Sequence, residues 1–96
     1  MPHTKARRIQ SFKFIDRAKG IEEHKIWDVP VDEKDPDGIR YRLAYIPAGR
    51  ETPSVLYDNH YPKGHHKHIE GRETGYEFSG VENLIRDFHQ DIEALK

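Results

Sequence analysis

The sequence predicts an α+β domain: a mainly antiparallel sheet of four or five strands, with one C-terminal amphipathic helix packed on it. Two observations predict this class. Short segments of alternating polarity, separated by turn-forming residues, come first in the chain, and an apolar stripe with helical spacing follows them. A chain of 96 residues supports one hydrophobic core, so we expect a single domain over residues 1–96, with residues 1–7 as a solvated, disordered end.

Strands are expected where β-branched and aromatic residues mix with polar ones, in residues 8–15, 24–29, 39–46 and 54–57. Residues 69–78 are broken by Gly71 and Gly75, and Tyr76 and Phe78 are expected in a short final strand. Alternation is clearest in the third of these segments, where Arg40 and Arg42 share one face. Residues 31–38 are rich in Asp, Pro and Gly and are therefore predicted as a loop, and residues 39–57 as a hairpin. The aromatic residues expected in the core, in preference to a role as platforms for stacked bases, are Trp27, Tyr41, Tyr45, Tyr57 and Phe88.

A helix is predicted from Ser79 to the end of the chain. Ser79 and Glu82 match a capping box, in which each side chain binds an unpaired backbone N–H of the first turn. The apolar stripe of this helix consists of Val81, Leu84, Ile85, Phe88, Ile92 and Leu95. We expect this stripe to pack on the sheet.

Composition excludes several classes of function. The chain has no cysteine, which rules out disulfides and thiolate chemistry, and it has no apolar run long enough to cross a membrane. We therefore expect a cytoplasmic protein with no membrane partner. The formal net charge is -1, so any binding of nucleic acid must depend on local basic patches.

The chemistry is expected in a histidine-rich segment, residues 57–68. Four of the seven histidines lie there, at positions 60, 65, 66 and 68. Imidazole transfers protons near neutral pH, so the segment suggests nucleic-acid chemistry or phosphate contact, a metal site, or a solvated turn without chemistry. His66 and His68 share a face if the segment is extended, and Lys67 then points the other way. Because two histidines without certain further ligands bind metal weakly, no metal or other cofactor is expected.

Other polar residues complete the predicted site. Asp58 either caps a turn or orients a histidine. Arg40 and Arg42 would present two forked phosphate donors side by side, unless their face is an ordinary solvated one. Lys63, Tyr57 and Asn59 are the remaining expected substrate-binding residues.

Several strings in the sequence carry a family resemblance: Tyr57-Asp58-Asn59, Lys63-Gly64, His66-x-His68, Tyr76-x-Phe78 and Leu84-Ile85-x-Asp87-Phe88. Together with Trp27, Pro30 and Tyr41-Arg42-Leu43, they resemble the TumE-like toxin family of bacterial type II toxin–antitoxin modules. The chain departs from the family pattern at residues 60–62 and at His65. His66 and His68 are therefore favoured as catalytic residues over His60 and His65.

The resemblance implies a toxin neutralised by a helix-turn-helix antitoxin. RNA is the expected target, through cleavage or through binding to a translation component. In metal-independent cleavage, His66 would be the general base on the ribose 2′-hydroxyl, and His68 or Lys67 would assist the leaving oxygen. The alternative is a non-catalytic module that binds nucleic acid or metal, and a homodimer remains open.

Overall fold

The computed structural model describes residues 7–16 and 18–95. Its elements are β1 (Arg7–Asp16), β2 (Gly20–Asp28), β3 (Ile39–Pro47), β4 (Val55–Asp58), β5 (His66–Ile69), β6 (Arg72–Gly75) and α1 (Val81–Ala94). The predicted α+β class is confirmed, although the sheet has six strands rather than four or five. Of the end expected to be disordered, residues 1–6 lie outside the described residues, and Arg7 begins β1.

The strands form one antiparallel sheet in which each strand pairs with its neighbours in the sequence, in the order β1-β2-β3-β4-β5-β6. The register places Leu43 of β3 opposite Tyr57 of β4, and Tyr57 opposite Lys67 of β5. Side chains at paired positions lie on the same face of a sheet, and the two faces alternate along each strand. We call the face covered by α1 the helix face and the other the open face.

The hydrophobic core lies between the helix face and α1. Its buried members are Ile26, Tyr41, Leu43, Val55, Tyr57, Leu84, Phe88 and Ile92. Trp27, predicted as a core residue, lies instead on the open face, because it pairs with Arg40 while its neighbour Ile26 pairs with the buried Tyr41. The apolar stripe of α1 is buried as predicted at its centre, whereas Leu95 ends the helix and is 39% exposed.

Strand β2 begins four residues before the predicted start, at Gly20. The backbone of Gly20 has a φ of 115° and approaches β3 so closely that a Cβ there would lie 2.1 Å from the carbonyl oxygen of Ile46. Only glycine fits such a position without displacing the neighbouring strand. This contact extends the β2–β3 pairing through Glu22 and His24, which places both side chains on the helix face beside α1.

The break predicted at Gly71 is present as a two-residue turn, but the short final strand predicted at Tyr76 and Phe78 lies instead at Arg72–Gly75. Glu70 and Gly71 have φ values of 50° and 82°, and Ile69 pairs directly with Arg72. Positive φ at both central residues is the geometry of a type I′ hairpin turn, which matches the twist of the flanking strands. The segment therefore contributes the end of β5 and all of β6, which accounts for the additional strand.

The predicted capping box at the start of α1 is also wrong. The residue at the helix N-cap is Gly80, and it makes no side-chain hydrogen bond to the first turn. The Ser79 hydroxyl instead accepts a hydrogen bond from the Asn83 amide at 2.9 Å. Across the described residues, α1 included, the structure contains no helix with the length and apolarity that crossing a membrane requires.

We expect Ser79→Ala to change the free energy of unfolding by no more than about 0.5 kcal/mol, as is usual for an exposed position outside a cap. A true N-cap serine would cost about 1 kcal/mol on replacement. Urea denaturation followed by circular dichroism measures the difference. A loss near the larger value would show that Ser79 caps the helix in solution.

Candidate functional site

The open face carries a shallow pocket of about 210 Å³ that crosses strands β2, β3 and β4. Its lining residues are Lys25, Trp27, Arg40, Tyr41, Arg42, Asp58 and His60. They come together because Trp27 pairs with Arg40, Lys25 pairs with Arg42, and Arg42 pairs with Asp58 across adjacent strands. The pocket therefore combines a large aromatic ring with three cationic side chains.

The three cations of this open-face pocket differ in how strongly other groups hold them. Arg40 binds the buried carboxylate of Asp35 through two donors, at 2.7 Å and 3.4 Å, and so anchors the loop after β2. Arg42 and Lys25 lie 3.8 Å and 4.0 Å from Glu23, and both are about half exposed. Long, exposed ion pairs of this kind are weak and exchange readily for a phosphate. Arg42 and Lys25 are therefore the more available phosphate donors.

His66 and His68 lie beside this pocket, on the same open face. Both are in β5, so the segment is extended, as the prediction that the two rings share a face requires. Their ring centroids are 5.3 Å apart. Nδ1 of the buried His66 lies 2.7 Å from the carbonyl oxygen of Gly64. A carbonyl only accepts, so Nδ1 carries the proton and donates it. In the neutral ring, Nε2 then has the lone pair that a general base needs.

His68 and Lys63 converge on the carboxylate of Glu73 in β6. Nε2 of His68 lies 3.6 Å from this carboxylate, and the Lys63 ammonium lies 2.9 Å from it. The hydrogen bond from Lys63 lowers the pKa of Glu73, with smaller contributions from the nearby histidines. Glu73 is therefore ionised at neutral pH, and its carboxylate faces both Lys63 and His68.

Asp58 lies between Arg42 and His66 in the register of three neighbouring strands. Within the described residues, its carboxylate accepts the backbone N–H of His60 at 2.6 Å, as expected for a residue that caps a turn. This hydrogen bond is to the backbone of His60 and not to a histidine ring, so it does not orient an imidazole. Its position nevertheless adds a negative group to the open face between the arginine and the histidines.

Three of the predicted site residues do not lie on the open face. Lys67 alternates with His66 and His68, so it points to the helix face, where its ammonium lies 3.0 Å from Asp91. The hydroxyl of the buried Tyr57 also donates to Asp91. The buried Asn59 amide accepts the N–H of Tyr41 and donates to the carbonyl of Ile39, at 2.9 Å and 2.7 Å. These contacts hold the sheet and helix together.

His65 is likewise occupied by contacts within the fold. Its Nε2 donates to Asp37 at 2.7 Å, and its Nδ1 accepts the Tyr41 hydroxyl at 2.9 Å. Its ring also stacks on Phe78, with centroids 4.7 Å apart. These contacts connect the loop after β2 to the core.

Sequence reasoning missed Trp27 and Lys25 as members of the pocket. Their alternation with Ile26 was visible, but the assignment of each face required the register between β2 and β3, which a single strand does not reveal. Once Arg40 and Arg42 are placed on a solvated face, their cross-strand partners Trp27 and Lys25 follow directly.

Comparison with known proteins gives one result. Residues 3–96 match the family model described as Toxin TumE, which covers essentially the whole chain. No curated protein and no solved structure is significantly similar to the chain. The resemblance found in the sequence is therefore confirmed, and this chain belongs to the TumE toxin family.

Proposed function

We propose that this TumE family toxin acts on RNA and cleaves it without a metal ion, with the open face as its active surface. The observation that carries the proposal is that one uncovered face of the sheet brings together Trp27, Arg42 and the pair His66 and His68, from three different strands. Aromatic rings stack on unpaired bases, and arginine binds phosphate. The surface thus offers a base platform, a phosphate donor and a proton-transfer pair.

In the proposed reaction, Nε2 of His66 takes the proton of a ribose 2′-hydroxyl. The 2′-oxygen then attacks the adjacent phosphorus, the bond to the 5′-oxygen breaks, and protonated His68 gives its proton to that oxygen. The products are a 2′,3′-cyclic phosphate and a 5′-hydroxyl. Lys67 was the alternative for assisting the leaving oxygen, but it points to the helix face, so the geometry favours His68.

The antitoxin and the cellular location belong to the same proposal. A toxin requires an antitoxin partner, and we propose one of the helix-turn-helix type, which would neutralise the toxin in the cytoplasm, where RNA is available. A homodimer of the toxin is a further proposed arrangement, and size-exclusion chromatography distinguishes it from a monomer. The competing function is non-catalytic: the same cations and Trp27 would bind RNA and block translation without cutting it.

The deciding experiment incubates the purified full chain with structured and single-stranded RNA in the presence of a chelator. We expect cleavage products that end in a 2′,3′-cyclic phosphate, and we expect the co-purified antitoxin to suppress them. RNA binding without cleavage would establish the non-catalytic function. Cleavage that stops on chelation, while circular dichroism shows that the chain is still folded, would contradict the metal-independent mechanism.

We expect Arg42→Ala to weaken RNA binding and to reduce its dependence on salt. Each lost contact to single-stranded RNA lowers the slope of log K against log salt concentration by about 0.7, because one fewer counterion is released. Fluorescence anisotropy over a series of salt concentrations measures this slope. Arg86→Ala is the matched control, since Arg86 is an exposed arginine on α1, away from the open face. Equal slopes for both variants would exclude Arg42 as a phosphate contact.

A further inference from the structure

A second cluster of chemically active side chains lies on the helix face. Glu22 and His24 are two residues apart on β2 and therefore point to the same side, and His89 reaches them from α1. One carboxylate oxygen of Glu22 lies 2.8 Å from Nε2 of His24 and 2.6 Å from Nε2 of His89. The three ligand atoms all lie within 4.8 Å of one another. The three side chains thus converge on one point.

The surroundings of this cluster suit a cation. A cleft of about 110 Å³ opens beside Glu22 and His89 and leaves room for a further ligand.

We propose that Glu22, His24 and His89 form a binding site for a divalent transition-metal ion, best matched by Zn²⁺, which fastens α1 to β2. Two imidazoles and one carboxylate are a common zinc ligand set, with water in the fourth position. Tetrahedral zinc with bonds of about 2.0–2.2 Å separates its ligand atoms by roughly 3.3 Å. The Glu22 oxygen and the histidine nitrogens must therefore move apart by roughly half an ångström, which the half-exposed side chain of His89 allows.

This site is separate from the proposed RNA surface. Glu22 and His24 pair with Tyr45 and Leu43 on the helix face, whereas His66 and His68 lie on the open face. The sequence predicted no metal anywhere in the chain, but the argument came from the histidine-rich segment alone and did not consider residues 67 positions apart that only the fold brings together. A failure to bind zinc would therefore not contradict the proposed RNA chemistry, and a failure to cleave RNA would not contradict the zinc site.

The test titrates Zn²⁺ into the full chain against a chromophoric chelator, with Co²⁺ as a spectroscopic probe of coordination. We expect one bound ion per chain and a Co²⁺ absorption spectrum typical of four-coordinate nitrogen and oxygen ligation. At a zinc concentration about 100-fold above Kd, the melting temperature should rise by roughly 10 to 20 °C. The parent chain binding no zinc, with an unchanged melting temperature, would overturn the proposal.

Variants locate the ion. His89→Ala and Glu22→Gln should each weaken zinc affinity by about 100-fold or more, which is the upper range for loss of even an outer-shell partner. Both positions are at least partly exposed, so these variants are expected to fold, and circular dichroism verifies it. Gln90→Ala, on the next residue of the helix, and the double variant His66→Ala, His68→Ala should keep parental affinity. Zinc affinity lost in the double variant and kept in His89→Ala would place the ion in the histidine-rich segment and contradict the proposal.

Discussion

Expression in the absence of an antitoxin should no longer arrest growth when His66 and His68 are both replaced by alanine. Each assisted proton transfer contributes on the order of 10² to 10⁴-fold in rate, so either single change should also abolish the arrest. His66 has the larger structural role, because it is buried and its Nδ1 donates to Gly64. Growth after induction, together with cleavage of RNA by the purified variants, measures the effect.

His66→Asn is the matched variant for this experiment. The asparagine amide keeps an N–H donor near the position of Nδ1 but has no group in place of Nε2, so the fold is retained and the base is lost. His60→Ala should retain most of the toxicity, since His60 is exposed and lies outside β5, the strand that carries His66 and His68. Circular dichroism establishes that each variant is folded. Growth arrest by a folded double variant, equal to that of the parent, would show that the toxin acts by binding alone.

Phe88→Ala should lower the free energy of unfolding by about 3 to 5 kcal/mol, which is the usual cost of emptying a buried aromatic position. Phe88 is 0% exposed and lies between α1 and the sheet. Its ring meets Tyr57 and His24 edge-on, with centroid distances of 5.6 Å and 5.3 Å. Urea denaturation of the purified variant measures the loss.

Leu95→Ala is the control for this stability prediction. Both residues belong to the predicted apolar stripe, but Leu95 is 39% exposed at the helix end, so its replacement should cost only about 0.5 kcal/mol. Equal losses in the two variants would mean that α1 packs on the sheet in another orientation. An unchanged denaturation midpoint for Phe88→Ala would contradict the core as described.

The sequence predicts best those features that depend on a single period. Alternation in residues 39–46 correctly placed Tyr41 and Leu43 on the buried face and Arg42 on the exposed one. Helical spacing correctly identified Leu84 and Phe88 as buried. In both cases the hydrophobic pattern and the backbone geometry repeat together, so local sequence is sufficient.

Features that depend on pairing between distant segments could not be predicted from the sequence. The open-face pocket was recognised only in part, because the position of Trp27 is decided by its pairing with Arg40. The cluster of Glu22, His24 and His89 combines a strand with the helix that follows all six strands. The helix N-cap at Gly80 was not predicted for another reason. Ser79 fits the capping pattern, but the helix begins one residue later than that pattern requires, so Ser79 does not cap it.

The sequential order of the strands has a consequence for how this chain folds. Every strand pairs only with the strands next to it in the sequence. Each hairpin therefore closes a short loop, which costs little conformational entropy. The sheet can therefore assemble stepwise while the chain is being synthesised. Leu43 and Tyr57 nevertheless stay uncovered until α1 docks on them, since the helix follows the complete sheet. The hydrophobic core is thus complete only when the last element of the chain has packed on the sheet.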